Sequence, residues 1–134
     1  MQKYEFSIDD GEAKVITSIE EIEQDLEELN NMQASEENDR HLFFKPMPPF
    51  CDVIEFSVSK SAETKGFFKK RLLQNYYFEI NFKYPDGTAG LSCKIGFEFN
   101  EVKEILTNLI NYQQLPNTNE PDWSIVKFDA DGNV

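Results

Sequence analysis

The sequence predicts an α+β fold, a mostly antiparallel sheet with two amphipathic helices on one face. Two observations predict it. Stretches such as YYFEINFKY (76–84) and LSCKIGFEF (91–99) alternate apolar and polar residues, as strands with one buried and one wet face do. Two other stretches, near 18–32 and 100–114, carry apolar residues at spacings of three and four, the stripe of an amphipathic helix. A one-sided sheet must cover its apolar face, and two such helices suit the task. A chain of 134 residues fits one domain spanning residues 1–134.

The elements follow in order. Tyr4, Phe6 and Ile8 share one parity, so KYEFSI (3–8) reads as a strand. DDGE (9–12) is a turn, because Asp-Gly supplies the left-handed backbone of tight hairpins, and AKVI (13–16) returns as a short strand. Thr17 or Ser18 caps a helix, with Ser18-x-x-Glu21 matching a capping box. Its stripe is Ile19, Ile22, Leu26 and Leu29, and it ends near Asn30 to Met32. In HLFFKPMPPFC, Pro46, Pro48 and Pro49 argue against a central strand, so a short strand ending near Lys45 is expected. VIEFSVS (53–59) is a strand with Ile54, Phe56 and Val58 inward, and 60–75 reads as a basic loop. Strands 76–84 and 91–99 form a hairpin across PDGTAG. Their buried sets are Tyr76, Phe78, Ile80, Phe82 and Tyr84, and Cys93, Ile95, Phe97 and Phe99. Asn100 caps a second helix with Val102, Ile105, Leu106, Leu109 and Ile110 on its stripe, and WSIVKFD (123–129) is a last strand.

Charge narrows the partners. The net charge of −12 is uneven: residues 1–39 hold thirteen acids against two bases, residues 40–84 four against eight, and residues 85–134 eight against three. Such a chain is repelled by nucleic acid and by anionic lipid and attracted to a basic protein surface. Lys65, Lys69, Lys70 and Arg71, interleaved with Phe67 and Phe68, are a poor nucleic-acid footprint within that balance. No window approaches the ~20 apolar residues of a membrane span, and the first residues show no secretory leader, so a cytoplasmic location is expected.

Catalytic and metal signatures are weak. His41, the single histidine, reads as a structural residue at a strand start. Cys51 and Cys93 form no metal or redox motif and leave open whether they pair. Asp129-Ala-Asp131-Gly132-Asn133 begins like a calcium loop, but it reads as a turn because it lacks the closing glutamate. Gly87 to Gly90 lies in a strand–strand turn rather than before a helix, where phosphate is cradled. No enzyme, cofactor or metal site is expected.

The first helix is the most informative stretch. SIEEIEQDLEELNNMQASEENDR (18–40) carries nine acids before its one base, Arg40. Glu21 with Asp25, and Glu23 with Glu27, repel at i,i+4 by about 0.2–0.5 kcal/mol a pair. No Lys or Arg in 18–32 offsets them. A solvated face is one reading. A docking surface for a basic protein is the other, with Glu20, Glu23, Asp25, Glu27 and Glu28 as its charges. Tight binding also needs buried aromatic anchors, for which Tyr77 on the polar face of its strand, and Phe43 or Phe44, are candidates.

Size, charge and the hairpin-rich YYFEINFKYPDGTAGLSCKIGFEF followed by a helix resemble, in type, the small acidic immunity proteins of bacterial polymorphic and contact-dependent toxin systems. The resemblance implies a stoichiometric inhibitor whose acidic surface covers the basic cleft of a nuclease-type toxin. A small acidic accessory or adaptor domain without a toxin partner is the alternative, and an enzyme working through carboxylates alone is a third.

Overall fold

The computed structural model describes residues 1–35, 37–65 and 71–134, and gives the backbone alone for residues 64, 65, 71 and 72. Of the basic segment, Phe67, Phe68, Lys69 and Lys70 lie outside the described residues, as do the side chains of Lys65 and Arg71. Among the described residues, the strands are β1 (Lys3–Ile8), β2 (Lys14–Ile16), β3 (Arg40–Met47), β4 (Val53–Lys65), β5 (Arg71–Lys83), β6 (Ala89–Ile95) and β7 (Ser124–Phe128). They form one sheet in the order β2-β1-β3-β4-β5-β6-β7, every neighbour antiparallel. A 3₁₀ turn at Ile19–Ile22 runs into α1 (Glu23–Asn31), and α2 (Phe99–Tyr112) links β6 to β7.

Both helices cover the same face. Tyr4, Phe6, Leu42, Phe44, Phe56, Val58, Phe78 and Ile80 from the sheet join Leu26 and Leu29 of α1 and Val102, Leu106, Leu109 and Ile110 of α2 in one core. Each is 2% exposed or less, and burying such a side chain stabilises the fold by about 1.5–3 kcal/mol. Two polar contacts fix the helices' ends. The Tyr4 hydroxyl donates to the Leu109 carbonyl at 2.8 Å, and the Asn111 side-chain oxygen accepts from the Ile19 N–H at 2.9 Å.

The third polar contact is the strongest. Lys60 on β4 points inward and is 4% exposed. Its ammonium donates to the carbonyls of Leu29, Asn30 and Met32, each at 2.9 Å, and lies 5.3 Å from the centre of the Tyr76 ring. These carbonyls belong to the end of α1, where unpaired C=O groups and the negative pole of the helix both favour a cation. Burial lowers the Lys60 pKa. Farther along the same pair of strands, Gln74 on β5, paired with Ala62, accepts from the Ala34 N–H at 2.7 Å and donates to the Ala34 carbonyl at 3.0 Å. The β4–β5 hairpin therefore clamps the end of α1 and the loop that follows.

That clamp explains one departure from the sequence reading: 60–65 and 71–75 are strand rather than loop. Pro46 is another, since it lies within β3 in the middle of the sheet. It pairs with Tyr4 of β1 but stands beyond the last β3–β4 pair, Phe44 with Phe56, so β3 has a single neighbour where the N–H is missing. Ile54 does not point inward. An irregularity between Val53 and Glu55 buries Val53 and leaves Ile54 37% exposed.

The parity of β6 is also reversed. Gly90, Ser92 and Lys94 face the core, while Cys93 and Ile95 face away. Gly90 lies under the Tyr84 ring, where a Cβ would meet the hydroxyl at 3.0 Å. Gly96, at φ 95°, then breaks the strand, so Phe97 re-enters the core and Phe99 opens α2. Glu98 rather than Asn100 occupies the N-cap of α2.

Replacing Lys60 by Met should leave the carbonyls of α1's end without their donor and lower stability by about 2–4 kcal/mol in chemical denaturation. Lys45→Met, at an exposed site on the other face, should change it by less than about 0.5 kcal/mol. Equal effects would show that the Lys60 contact contributes nothing special.

Candidate functional site

The structure supplies the acidic helix with cations that its own sequence lacks. The Lys103 ammonium of α2 lies 3.0 Å from Glu23, with both side chains about half exposed. Lys14 of β2 approaches Asp25 at 3.8 Å. Exposed pairs of this kind contribute about 0.2–1 kcal/mol. Glu20 accepts from the Asn111 amide at 3.3 Å. A backbone hydrogen bond, most of all, holds the Glu20 carboxyl below its usual range. Glu27 and Glu28 are exposed and make no ion pair with any described residue.

Glu21 serves the fold. Its carboxylate accepts from the Thr17 N–H at 2.6 Å and the Ser18 N–H at 3.0 Å. This is the returning arm of the expected capping box. It fixes the chain's entry into a 3₁₀ turn before α1, so the single helix expected from Ser18 is divided in two. Those backbone donors lower the Glu21 pKa.

Tyr77 stands elsewhere. It has opposite parity to the buried Tyr76 and Phe78, so it faces away from both helices. The carboxylates of α1 and the phenol of Tyr77 therefore lie on opposite sides of the sheet and do not form one patch. Of the other two aromatic candidates, Phe44 is fully buried in the core, while Phe43 shares the outer face with Tyr77.

This outer face is covered by neither helix. Cross-strand pairing lays out two of its rows. One runs Ser7, Phe43, Ser57, Glu79, Cys93 and Ser124. The next runs His41, Ser59, Tyr77 and Ile95. Burial first, then a hydrogen bond with Cys93 and the nearby Glu79 charge, push the Tyr77 pKa up. The phenol therefore stays neutral at physiological pH.

His41 links two neighbours on this face. Its Nδ1 is 2.6 Å from Ser59 Oγ, and its Nε2 is 3.3 Å from an Asp39 oxygen. Hydroxyl, imidazole and carboxylate thus stand in the sequence used by nucleophilic hydrolases. Acyl transfer also requires backbone donors aimed at the developing oxyanion. Ser59 sits inside a strand paired on both sides, so the amides around it belong to the ladders. The contact's evident effect is orientation: it holds His41 nearly parallel to Phe43, with the planes 17° apart. Beside them, Asp9, Asp10, Asp39, His41 and Phe43 line an open hollow of about 510 Å³.

Other chemistry-bearing groups are committed. A hollow of about 860 Å³ lies between the β5–β6 turn and the end of β7. Its carboxylates serve turns: Asp86 accepts from Thr88 N–H and hydroxyl, and Asp129 from the Asp131 and Asn133 N–H groups. The calcium-like C-terminal sequence is such a turn. Among the described residues, no group of three or more His, Cys, Asp or Glu side chains is arranged to hold a metal ion. Cys51 and Cys93 are both free thiols. Among the described residues, no helix is long and apolar enough to cross a membrane. No protein-family model, curated protein or solved structure matches this chain.

The buried donor Lys60 escaped the sequence reading, although the spacing of Phe56, Val58 and Lys60 already puts all three on one parity. The lowered Glu21 pKa has a signed consequence. Its stabilisation is complete above the unfolded value, about 4.3, and is lost as the pH falls through the lower folded value. Glu21→Gln should therefore be less stable than the parent at pH 7, and the two should converge as the pH falls through the lowered folded value. A stability gap that persists in acid would place the effect elsewhere.

Proposed function

We propose that this chain is a non-catalytic, cytoplasmic protein-binding inhibitor of the immunity type, neutralising a basic, nuclease-type toxin domain through an acidic surface. The observation that carries this reading is the uneven use of cations around α1. Lys60 serves the helix's terminal carbonyls, Lys103 serves Glu23 and Lys14 serves Asp25. Glu27 and Glu28 still face solvent with no cation among the described residues, and Glu20 has only an amide partner. In a chain of net charge −12, these carboxylates form a field that a cationic partner satisfies from outside.

Surface charge of this kind acts mainly on the rate of encounter and on the exclusion of wrong partners. Glu23 and Asp25 are poor probes of it, because reversing them also breaks their intramolecular pairs. Glu20, Glu27 and Glu28 changed together to Lys should slow association with the basic protein that co-purifies from the native host by about tenfold and flatten the salt dependence. An unchanged rate and salt slope would remove α1 from the encounter surface. In the same preparation, stoichiometric addition of the chain should abolish the partner's toxic activity. Full residual activity in the complex would overturn the inhibitor reading and leave an acidic adaptor.

A further inference from the structure

The outer face of the sheet has what α1 lacks. Apart from the paired Glu23 and Asp25, α1 shows solvent Gln24, Glu27, Glu28, Asn30 and Asn31, with no apolar group among them. Charge of this kind steers a partner but gives it nothing to bury against. On the outer face, Phe43 of β3 and Tyr77 of β5 are both part-buried and stand on either side of β4. Between them β4 presents only the small side chains of Ser57 and Ser59. Strands lie ~4.8 Å apart, so the two rings stand about two strand spacings from each other, with Ser57 between them only 6% exposed. Ile95, in the same row as Tyr77, is 67% exposed. Aromatic side chains are enriched at the centres of protein interfaces.

The charge nearest these two rows is mainly acidic, although Lys45 follows Phe43 and Lys83 lies beyond Glu79 on the same face. Glu79 lies in the row of Phe43 and Ser57, while Asp9, Asp10 and Asp39 line the hollow next to His41 and Phe43. Among the described residues, these two rows contain no Lys or Arg. A second copy of this chain would bring the acids near these rows against each other, with Lys45 and Lys83 farther out as the bases on the face. A partner with basic side chains around an apolar centre meets both features of the face.

We infer that the cationic protein partner seats on this open sheet face, burying apolar side chains against Phe43, Tyr77 and Ile95 and presenting basic ones to Glu79 and the aspartates, while α1 contributes only long-range attraction. This inference rests on the cationic-partner reading above and adds the place of contact. It also gives Tyr77 and the α1 carboxylates separate tasks, in keeping with their positions on opposite sides of the sheet.

The test uses a defined probe, a capped Arg-Leu-Arg-Leu-Arg peptide, titrated into the isotopically labelled full chain and followed by NMR. A capped Glu-Leu-Glu-Leu-Glu peptide is the control. The expected result is a set of shifts centred on His41, Phe43, Ser59, Tyr77 and Ile95 with the basic peptide alone. Tyr77→Ser should weaken binding about tenfold. Ile95→Lys, at a position too exposed to disturb the core, should weaken it comparably. The paired change Glu27→Gln and Glu28→Gln should alter it less than about twofold. Shifts confined to Glu27 and Glu28 would overturn the placement while leaving a cationic partner in place. Equal binding of both peptides, or of neither, would overturn it outright. Concentration-dependent dimers abolished by Ile95→Lys would assign the face to a second copy instead.

Discussion

One buried ammonium determines how this fold is arranged. Lys60 reaches from the centre of the sheet to three carbonyls at the end of α1. A helix with acids in its last turn and no base of its own is electrostatically poor at its C-terminus. The sheet supplies the missing cation, and the ring of Tyr76 lies beside it. Because the same hairpin also holds Ala34 through Gln74, α1 is fixed against the β4–β5 side of the apolar face. With α2 bound through Tyr4 and Asn111, both helices stay on one side and the other side is left bare.

This division separates two kinds of surface. On the helical side, the remaining charge of α1 is exposed and screened by salt over about 10 Å. On the bare side, aromatic and aliphatic groups sit in rows fixed by strand pairing, with Ser59, His41 and Asp39 holding one another in place. Affinity depends on the second kind of surface and encounter rate on the first. A chain with both can be captured quickly by a basic surface and then held by a smaller central patch.

Much of this was legible in the sequence. The alternation in 3–8, 53–59 and 76–84 and the two helical stripes suffice for the one-sided sheet and its cover. Glu21 was recognisable from the capping-box spacing. The failures have local causes. Cys93, Ile95, Phe97 and Phe99 look like one continuous face, but Gly96 adopts a left-handed backbone and resets the parity. The polarity of 60–75 suggests a loop, yet Lys60 and Gln74 are inward residues whose polar ends are satisfied by the chain they clamp. Pro46 is tolerated because β4 has already diverged at that point. For the candidate surfaces, residue type was readable and location was not: parity put Tyr77 on a wet face, but only the topology shows that α1 lies on the other.

The most direct measurement of the proposed contact is hydroxyl-radical footprinting of the chain, free and in complex with a basic protein co-purified from the native host. Side-chain oxidation of Phe43, Tyr77 and Ile95 should fall sharply on binding, while Tyr112, 68% exposed at the end of α2, keeps its reactivity. Protection of Tyr112 with Phe43, Tyr77 and Ile95 unchanged would place the partner on the helical side and contradict a contact on the bare sheet.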